Sequence, residues 1–200
     1  MEKFNKTSLS KFSKDYSKYL KKLLDNLDHN SIENIFEILD KARKRKNKIF
    51  IIGNGGSAST ASHICNDFGL AALKSNNSSN PEPFRVISLT DNNSVITALG
   101  NDNGFENIFV EQLKVLFEEG DVVIAVSASG NSENLVNACK WVKGNKGISI
   151  GWLGFNGGKL KTICDNVLHI NTPYGEYAPV EDLHLIINHI IVSWMHIKLS

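Results

Sequence analysis

The sequence has few cysteines, almost no net charge and no long hydrophobic run. Its three cysteines, an odd number, stand apart in apolar segments, which predicts buried free thiols in a reducing compartment rather than a disulfide framework. A formal net charge of +1 gives no reason to expect nucleic acid or an anionic membrane as a partner. No segment approaches the roughly 18 apolar residues of a spanning helix, and the first residues carry no apolar signal-peptide core. These absences predict a cytoplasmic protein that binds neither nucleic acid nor membrane.

A length of 200 residues and a hydrophobic content of 42% suit one domain with a substantial core. Two amphipathic helices are predicted first, one over residues 12–27 and a second that ends in the basic run 41–48. Such a run can bind nucleic acid, but a cationic helix end followed by a solvated linker is the simpler interpretation. We therefore predict one domain over 1–200, with N-terminal helices in 1–47 and the core in 48–200.

From residue 48 onward, short β-rich segments alternate with helical patterns. Strands are predicted at 49–52, 85–89, 122–126, 147–153 and 166–170. Helices are predicted at 57–73, 94–99, 106–117, 132–142, 158–163 and 180–198, and a surface loop at 74–83. The alternation is typical of α/β proteins, and several of the strands are almost entirely apolar. The sequence therefore predicts a parallel sheet with helices on both faces.

Residues 126–135, VSASGNSENL, follow the third predicted strand and begin a helix. In an open parallel sheet, ligands bind at the carboxyl ends of the strands. Free N–H groups at a helix start attract anions, and the hydroxyls of Ser127, Ser129 and Ser132 around Gly130 can add hydrogen bonds to phosphate oxygens. The lysine of a nucleoside-triphosphate loop is missing. Since a single serine would suffice to cap the helix, the loop predicts a site for a small phosphorylated metabolite.

The loop after the first predicted strand, GNGGS at 53–57, is also unusual. It is not a G-x-G-x-x-G fingerprint, and the acidic residue expected about 20 residues further on is missing, so a dinucleotide is not expected. A plain glycine turn is the alternative to a ligand contact. Two unusual loops at one edge of the sheet favour the ligand contact.

Two helices carry titratable side chains near these loops. His63 and Asp67 are four residues apart and share one helix face. Glu181 and His189, eight residues apart on the last helix, project from nearly the same face about 12 Å apart. Two histidines and two carboxylates can complete a four-ligand zinc site, although no close spacing enforces it. His184, among apolar neighbours, is interpreted as a satisfied core or interface histidine.

Five segments together resemble the sugar isomerase (SIS) domain family and, within it, the phosphoheptose isomerases. In chain order they are GNGGSASTASH, LTDNNSVITALGNDNGFENIFVEQL, GDVVIAVSASGNS, GFNGGKL and VEDLHLIINHI, which span about residues 48–194. The resemblance implies a flavodoxin-like three-layer αβα sandwich with a five-stranded parallel sheet and two leading helices. It also implies a nucleotide-free homotetramer with active sites at subunit contacts.

The activity implied by the resemblance is aldose–ketose isomerisation of D-sedoheptulose 7-phosphate to D-glycero-D-manno-heptose 7-phosphate. The reaction passes through a cis-enediol and feeds heptose synthesis for surface polysaccharide. It needs a base for the carbon-bound proton and an acid for the oxygens, roles that a carboxylate and an imidazole can fill. Asp67 is predicted as the base, or Glu181 if the two carboxylates have exchanged roles, with His189 as the acid.

The resemblance also implies which residues bind the substrate and the metal. The Zn²⁺ ligands would be His63, Asp67, Glu181 and His189. The sugar contacts would be Asn54, Gly55, Gly56, Asn101, Asp102 and Glu181, and the phosphate would lie against Ser127, Ala128, Ser129 and Ser132.

Several positions depart from the family's pattern. The family more often has glutamate at Asp67, glutamine at Glu181 and threonine at Ala128, with an arginine near Ala71 and an aspartate near Ala178. These departures keep two other interpretations open, namely an isomerase of a different ketose phosphate and a non-catalytic sugar-phosphate-binding or protein-interaction module. Family relatives of the second kind include one that associates with a replication initiator, keeps the fold and lacks the C-terminal histidine, so His189 favours the enzyme.

Overall fold

The computed structural model describes residues 4, 8–71 and 82–199. The elements, in chain order, are α1 (Leu9–Asp25), α2 (His29–Lys44), β1 (Lys48–Gly53), α3 (Gly56–Ala71), β2 (Arg85–Ser88), α4 (Asn93–Asp102), a 3-10 turn (Phe105–Asn107), α5 (Ile108–Leu116), β3 (Val122–Ser127), α6 (Glu133–Gly144), β4 (Ile148–Leu153), α7 (Leu160–Ile163), β5 (Asn166–His169) and α8 (Tyr177–Leu199). Most of the surface loop predicted at 74–83 lies outside the described residues. In the part of the chain that is described, no helix is long and apolar enough to cross a membrane.

The five strands form one parallel sheet in the order β2-β1-β3-β4-β5. Every residue of β1 and β3 is buried because helices cover both faces of the sheet. The predicted α/β fold with a five-stranded parallel sheet is confirmed. The strand order reverses between β1 and β3, and sheets of this kind bind ligands at such a switch point.

Alternate residues of the central strands point into two separate apolar layers. Ile49 and Ile51 pack in one layer with α2, α3 and α8, whereas Phe50 and Ile52 pack in the other with α5, α6 and α7. This is the two-residue period of a strand whose opposite faces are both covered. The two layers of side chains make the predicted three-layer αβα sandwich.

Helix α1 packs its leucines Leu20, Leu23 and Leu24 against the first apolar layer, although none of its residues is fully buried. It contacts the start of α8 through two tyrosines. The hydroxyl of Tyr16 donates a hydrogen bond to Asp182, and that of Tyr19 donates to Glu176 at 2.5 Å. Phenol–carboxylate hydrogen bonds and this packing hold α1 in place, and its apolar stripe is partly buried.

The basic run 41–48 is a cationic helix end followed by a linker, as predicted, since α2 ends at Lys44 with three basic residues in its last turn. Two residues of the run, however, are buried. Arg43 is buried and pairs with Asp40 at 2.7 Å. Lys48 is the first residue of β1, where its ammonium group lies 3.1 Å from the fully buried carboxylate of Asp121 and its backbone N–H donates to the same side chain. These partners lie far from Lys48 in the sequence, so a count of charges along the chain does not reveal them.

His184 lies in the core, as predicted, but the prediction that its polar atoms are satisfied is wrong. Neither ring nitrogen has a hydrogen-bond partner among the described residues, and the side chain is fully buried. Its nearest aromatic neighbour is Trp152, with the ring centroids 6.2 Å apart. Complete desolvation lowers the pKa of His184 to about 3.

We expect this histidine to make the fold sensitive to acid. Below a pH of about 6.5 the unfolded chain binds a proton at His184, whereas the folded chain does not bind this proton until about pH 3. Lowering the pH to 4 should therefore remove about 3 kcal/mol of the free energy of unfolding. Urea titrations of His184→Leu at several pH values should show a shallower loss, while the exposed His29→Leu control should follow the wild-type protein. Equal pH slopes for His184→Leu and wild type would contradict this expectation.

Candidate active site

The two unusual loops leave neighbouring strands at the carboxyl edge of the sheet. Gly53 at the end of β1 is in register with Val126 of β3. The side-chain amides of Asn54 and Asn134 exchange two hydrogen bonds, each 2.9 Å long, and so connect the first loop to the start of α6. Sequence reasoning missed Asn134, because an asparagine in the first turn of a helix gives no signal of a partner 80 residues away.

The glycine turn at the start of α3 lies directly against Glu181 from the start of α8. Gly55 has a φ of 55°, which favours glycine. A Cβ at Gly56 would lie 2.7 Å from Glu181 Oε1, so a larger residue there would force this carboxylate to move. Burial, with a smaller contribution from Asp182, raises the pKa of Glu181. The structure thus brings Glu181 together with two of the predicted sugar contacts.

Helices α3 and α8 bring His63, Asp67 and His189 together. His63 Nε2 lies 3.2 Å from His189 Nε2 and 3.2 Å from Asp67 Oδ2, and His189 Nε2 lies 3.8 Å from the same oxygen. Atoms that bind zinc tetrahedrally at about 2.0–2.2 Å are themselves about 3.4 Å apart. Two nitrogens and one oxygen at these separations fit such an ion. The two imidazoles are partly exposed, which leaves one side of this triad accessible.

Three of the four predicted metal ligands therefore meet. Among the described residues, the group able to hold a metal ion consists of His63, Asp67 and His189, without Glu181. The fully buried Asn188 donates a hydrogen bond of 2.6 Å from Nδ2 to Asp67 Oδ2. Sequence reasoning did not single out Asn188, because it stands in an apolar helical stretch beside the more conspicuous His189.

The loop between β3 and α6 folds around Gly130. Ser127 Oγ accepts a hydrogen bond of 3.0 Å from the Gly130 N–H, and Ser129 Oγ accepts one of 3.3 Å from the Asn131 N–H. Ser132 is the N-cap residue of α6, yet its side chain makes no capping hydrogen bond. Its hydroxyl is therefore not used to cap the helix, which argues against a purely structural function for this serine.

The structure places the remaining predicted positions in the loop after β3 and on α3, α4 and α8. Ala128 is buried in the loop after β3. Asn101 and Asp102 are exposed at the end of α4, where the Asn101 amide donates to Asp102 at 2.7 Å. Ala178 is exposed in the first turn of α8, and the side chain of Ala71 is not among those described.

Comparisons with known proteins point to one family. A family model described as the SIS domain matches residues 11–150. The phosphoheptose isomerase of Clostridium acetobutylicum is 39% identical over 160 residues, which cover 80% of this chain and 78% of that protein.

Two solved structures have the same fold over nearly their whole length. The phosphoheptose isomerase of Neisseria gonorrhoeae superimposes with a TM-score of 0.81 at 25% identity and covers 94% of this chain and 98% of its own. The phosphoheptose isomerase of Francisella tularensis gives a TM-score of 0.77 at 26% identity over the same shares of the two chains. The chain therefore belongs to the SIS-domain family and, within it, to the phosphoheptose isomerases.

Proposed function

We propose that this protein isomerises D-sedoheptulose 7-phosphate to D-glycero-D-manno-heptose 7-phosphate. The observation that carries the proposal is the meeting of His63, Asp67 and His189 at the helix faces beside the glycine turn. A carboxylate and an imidazole at one accessible place can supply the base and the acid that a proton transfer between adjacent carbons requires. The choice of sedoheptulose 7-phosphate as the substrate is supported by the relatives named phosphoheptose isomerase.

In this proposal, Asp67 is the base and His189 the acid. Asp67 Oδ2 faces the two imidazoles, so Oδ1 is the oxygen that takes the proton from the sugar carbon. His189 Nε2 faces the same group, so Nδ1 is the nitrogen that exchanges a proton with a sugar oxygen. Glu181 contacts the sugar at the glycine turn and is the second candidate for the base, since its raised pKa brings it closer to the pH at which it must work.

We propose Zn²⁺ as the metal of this site, held by His63, Asp67 and His189. Their donor atoms and separations suit zinc, and catalytic zinc sites have three protein ligands and one open position. When bound, the ion supplies Lewis-acid polarisation of the substrate's oxygens. The fourth ligand expected from the resemblance, Glu181, lies at the glycine turn and binds the sugar rather than the metal in this proposal.

The loop after β3 is proposed to bind the phosphate. Its backbone N–H groups and the hydroxyl of Ser132, which makes no capping hydrogen bond, lie at the start of α6, where the helix dipole favours an anion. Asn54, Gly55 and Gly56 would then contact the sugar between this loop and the triad. The contact between Asn54 and Asn134 keeps the two loops at a fixed separation.

The proposed activity is tested by following a panel of C5 to C7 ketose phosphates by NMR, with and without added Zn²⁺. We expect sedoheptulose 7-phosphate to be converted to the aldose. Unphosphorylated sedoheptulose is the control, and it should bind at least about tenfold more weakly because it lacks the charge-assisted hydrogen bonds of the phosphate. Turnover of a different ketose phosphate alone would change the substrate, and binding without any turnover would favour the non-catalytic module.

We propose a homotetramer with active sites at subunit contacts. Helix α1 buries none of its residues, and a groove on α8 beside the triad is lined by Ile186, His189, Ile190, Ser193, Trp194 and Ile197. Apolar surface on two helices of one chain is typical of an interface. The nearness of His189 to this groove supports the placement of the active sites.

Light scattering at micromolar concentration should give about four times the chain mass of 22.1 kDa. Trp194→Asp should lower both the mass and the turnover number, because it places a charge on the partly exposed apolar face next to the active site. A wild-type monomer would contradict the tetramer.

A further inference from the structure

We propose that Asn188 is a positioning residue that directs the carboxylate of Asp67 toward His63 and His189, and so presents the three side chains to a divalent cation. The inference rests on the proposed metal site but concerns a residue outside the ligand set. It assigns a function to a buried amide that packing alone does not explain.

The hydrogen bond has only one possible direction. A carboxylate oxygen accepts and cannot donate, so the NH₂ group of Asn188 must face Asp67 Oδ2, which it does at 2.6 Å. The same oxygen lies 3.2 Å from His63 Nε2 and 3.8 Å from His189 Nε2. Asn188 therefore contacts the one carboxylate oxygen that belongs to the triad.

The surroundings of Asn188 make it an unfavourable choice for packing. The side chain is fully buried, and its Oδ1 has no hydrogen-bond partner among the described residues. An unpaired buried amide oxygen destabilises a fold, and a leucine at this position would avoid that penalty. The neighbouring Ile187 and the nearby Ile191 on the same helix are apolar core residues. The polar side chain at this position thus serves Asp67 rather than the core.

Without this bond, the carboxylate has an alternative. Asp67 is partly exposed, so rotation of its side chain toward water would satisfy both oxygens and move Oδ2 away from the imidazoles. Asn188 opposes that rotation from the buried side of the helix. Outer groups that orient a ligand in this way commonly change metal affinity by about 10–100-fold when removed.

The test is Asn188→Leu, with Zn²⁺ affinity measured by competition with a chromophoric chelator and the ligand geometry followed by the absorption spectrum of added Co²⁺. We expect Zn²⁺ to bind about 10–100-fold more weakly and the Co²⁺ spectrum to change. The melting temperature without metal should be unchanged or higher, because the variant removes an unpaired buried amide. Ile187→Leu is the matched control, equally buried and unable to form hydrogen bonds, and should leave the affinity within about twofold.

A second comparison separates positioning from a general structural effect. In an Asp67→Ala background there is no carboxylate to position, so adding Asn188→Leu should change the Zn²⁺ affinity by less than about twofold. An equal loss in both backgrounds, or a lower melting temperature together with the loss, would assign Asn188 a structural role and overturn the inference. If the wild-type protein binds Zn²⁺ and Asn188→Leu binds it with the same affinity, this inference alone is overturned. The absence of Zn²⁺ binding by the wild-type protein would overturn it together with the proposed metal site.

Discussion

Replacing His189 with alanine is expected to lower kcat for sedoheptulose 7-phosphate at least about 100-fold, while KM changes much less. The reason is positional. His189 meets His63 and Asp67 on the faces of α3 and α8, whereas the proposed phosphate loop follows β3. Loss of the imidazole thus removes a group that acts in the transition state and leaves phosphate binding intact. His29→Ala, which removes an exposed imidazole at the start of α2, is the matched control and should keep both constants within about twofold.

Two isosteric substitutions distinguish whether Asp67 or Glu181 is the base. If Asp67 is the base, Asp67→Asn should also lower kcat at least about 100-fold, and Glu181→Gln should have a mild effect. Glu181→Gln keeps a polar side chain of the same size against Gly56, where the structure leaves room for one. A severe loss in Glu181→Gln with a mild one in Asp67→Asn would move the base to Glu181. Full activity of His189→Ala would contradict the proposed acid.

The sequence was informative wherever function depended on local pattern. The strands could be predicted from short apolar segments, and the loops at Gly53 and Ser127 from their composition, because both patterns are set by residues adjacent in the chain. His63 and Asp67 could be paired for the same reason, since four residues bring two side chains to one face of a helix. The switch point follows from the strand order, which the structure supplies and which was not predicted from the sequence.

The contacts that complete the site depend instead on how helices pack. His63 reaches His189 across 126 residues, and Asn188 reaches Asp67 across 121. Their meeting is set by the packing of α3 against α8, which no spacing in the sequence encodes. The placement of Glu181 against Gly56 is of the same kind. Spacing along α8 alone assigned Glu181 and His189 to one face, yet Glu181 lies against Gly56 whereas His189 contacts His63.

The loop after β3 offers a test of the proposed phosphate site through its backbone. Gly130 has a φ of 65°, and a Cβ there would lie 2.0 Å from the carbonyl oxygen of Gly157. The contact is with backbone, which cannot rotate away, so Gly130→Ala forces the loop or the turn at Gly157 to move. We expect the free energy of unfolding to fall by at least about 3 kcal/mol and KM for the phosphorylated sugar to rise at least about tenfold.

Gly120→Ala is the matched control for that change, because it shares the conformation without the clash. Gly120 has a φ of 89°, and the nearest atom to an added Cβ is the end of the Asn47 side chain at 3.2 Å. It also precedes β3, so it lies at the opposite edge of the sheet from the proposed phosphate loop. Gly120→Ala should lower the free energy of unfolding by only about 1–2 kcal/mol, because alanine is disfavoured in a left-handed backbone conformation. It should leave KM unchanged. If Gly130→Ala raises KM no more than Gly120→Ala does, the loop after β3 does not bind the phosphate. If KM rises equally for sedoheptulose and its 7-phosphate, the loop shapes the sugar site instead, because a lost phosphate contact would weaken only the phosphorylated substrate.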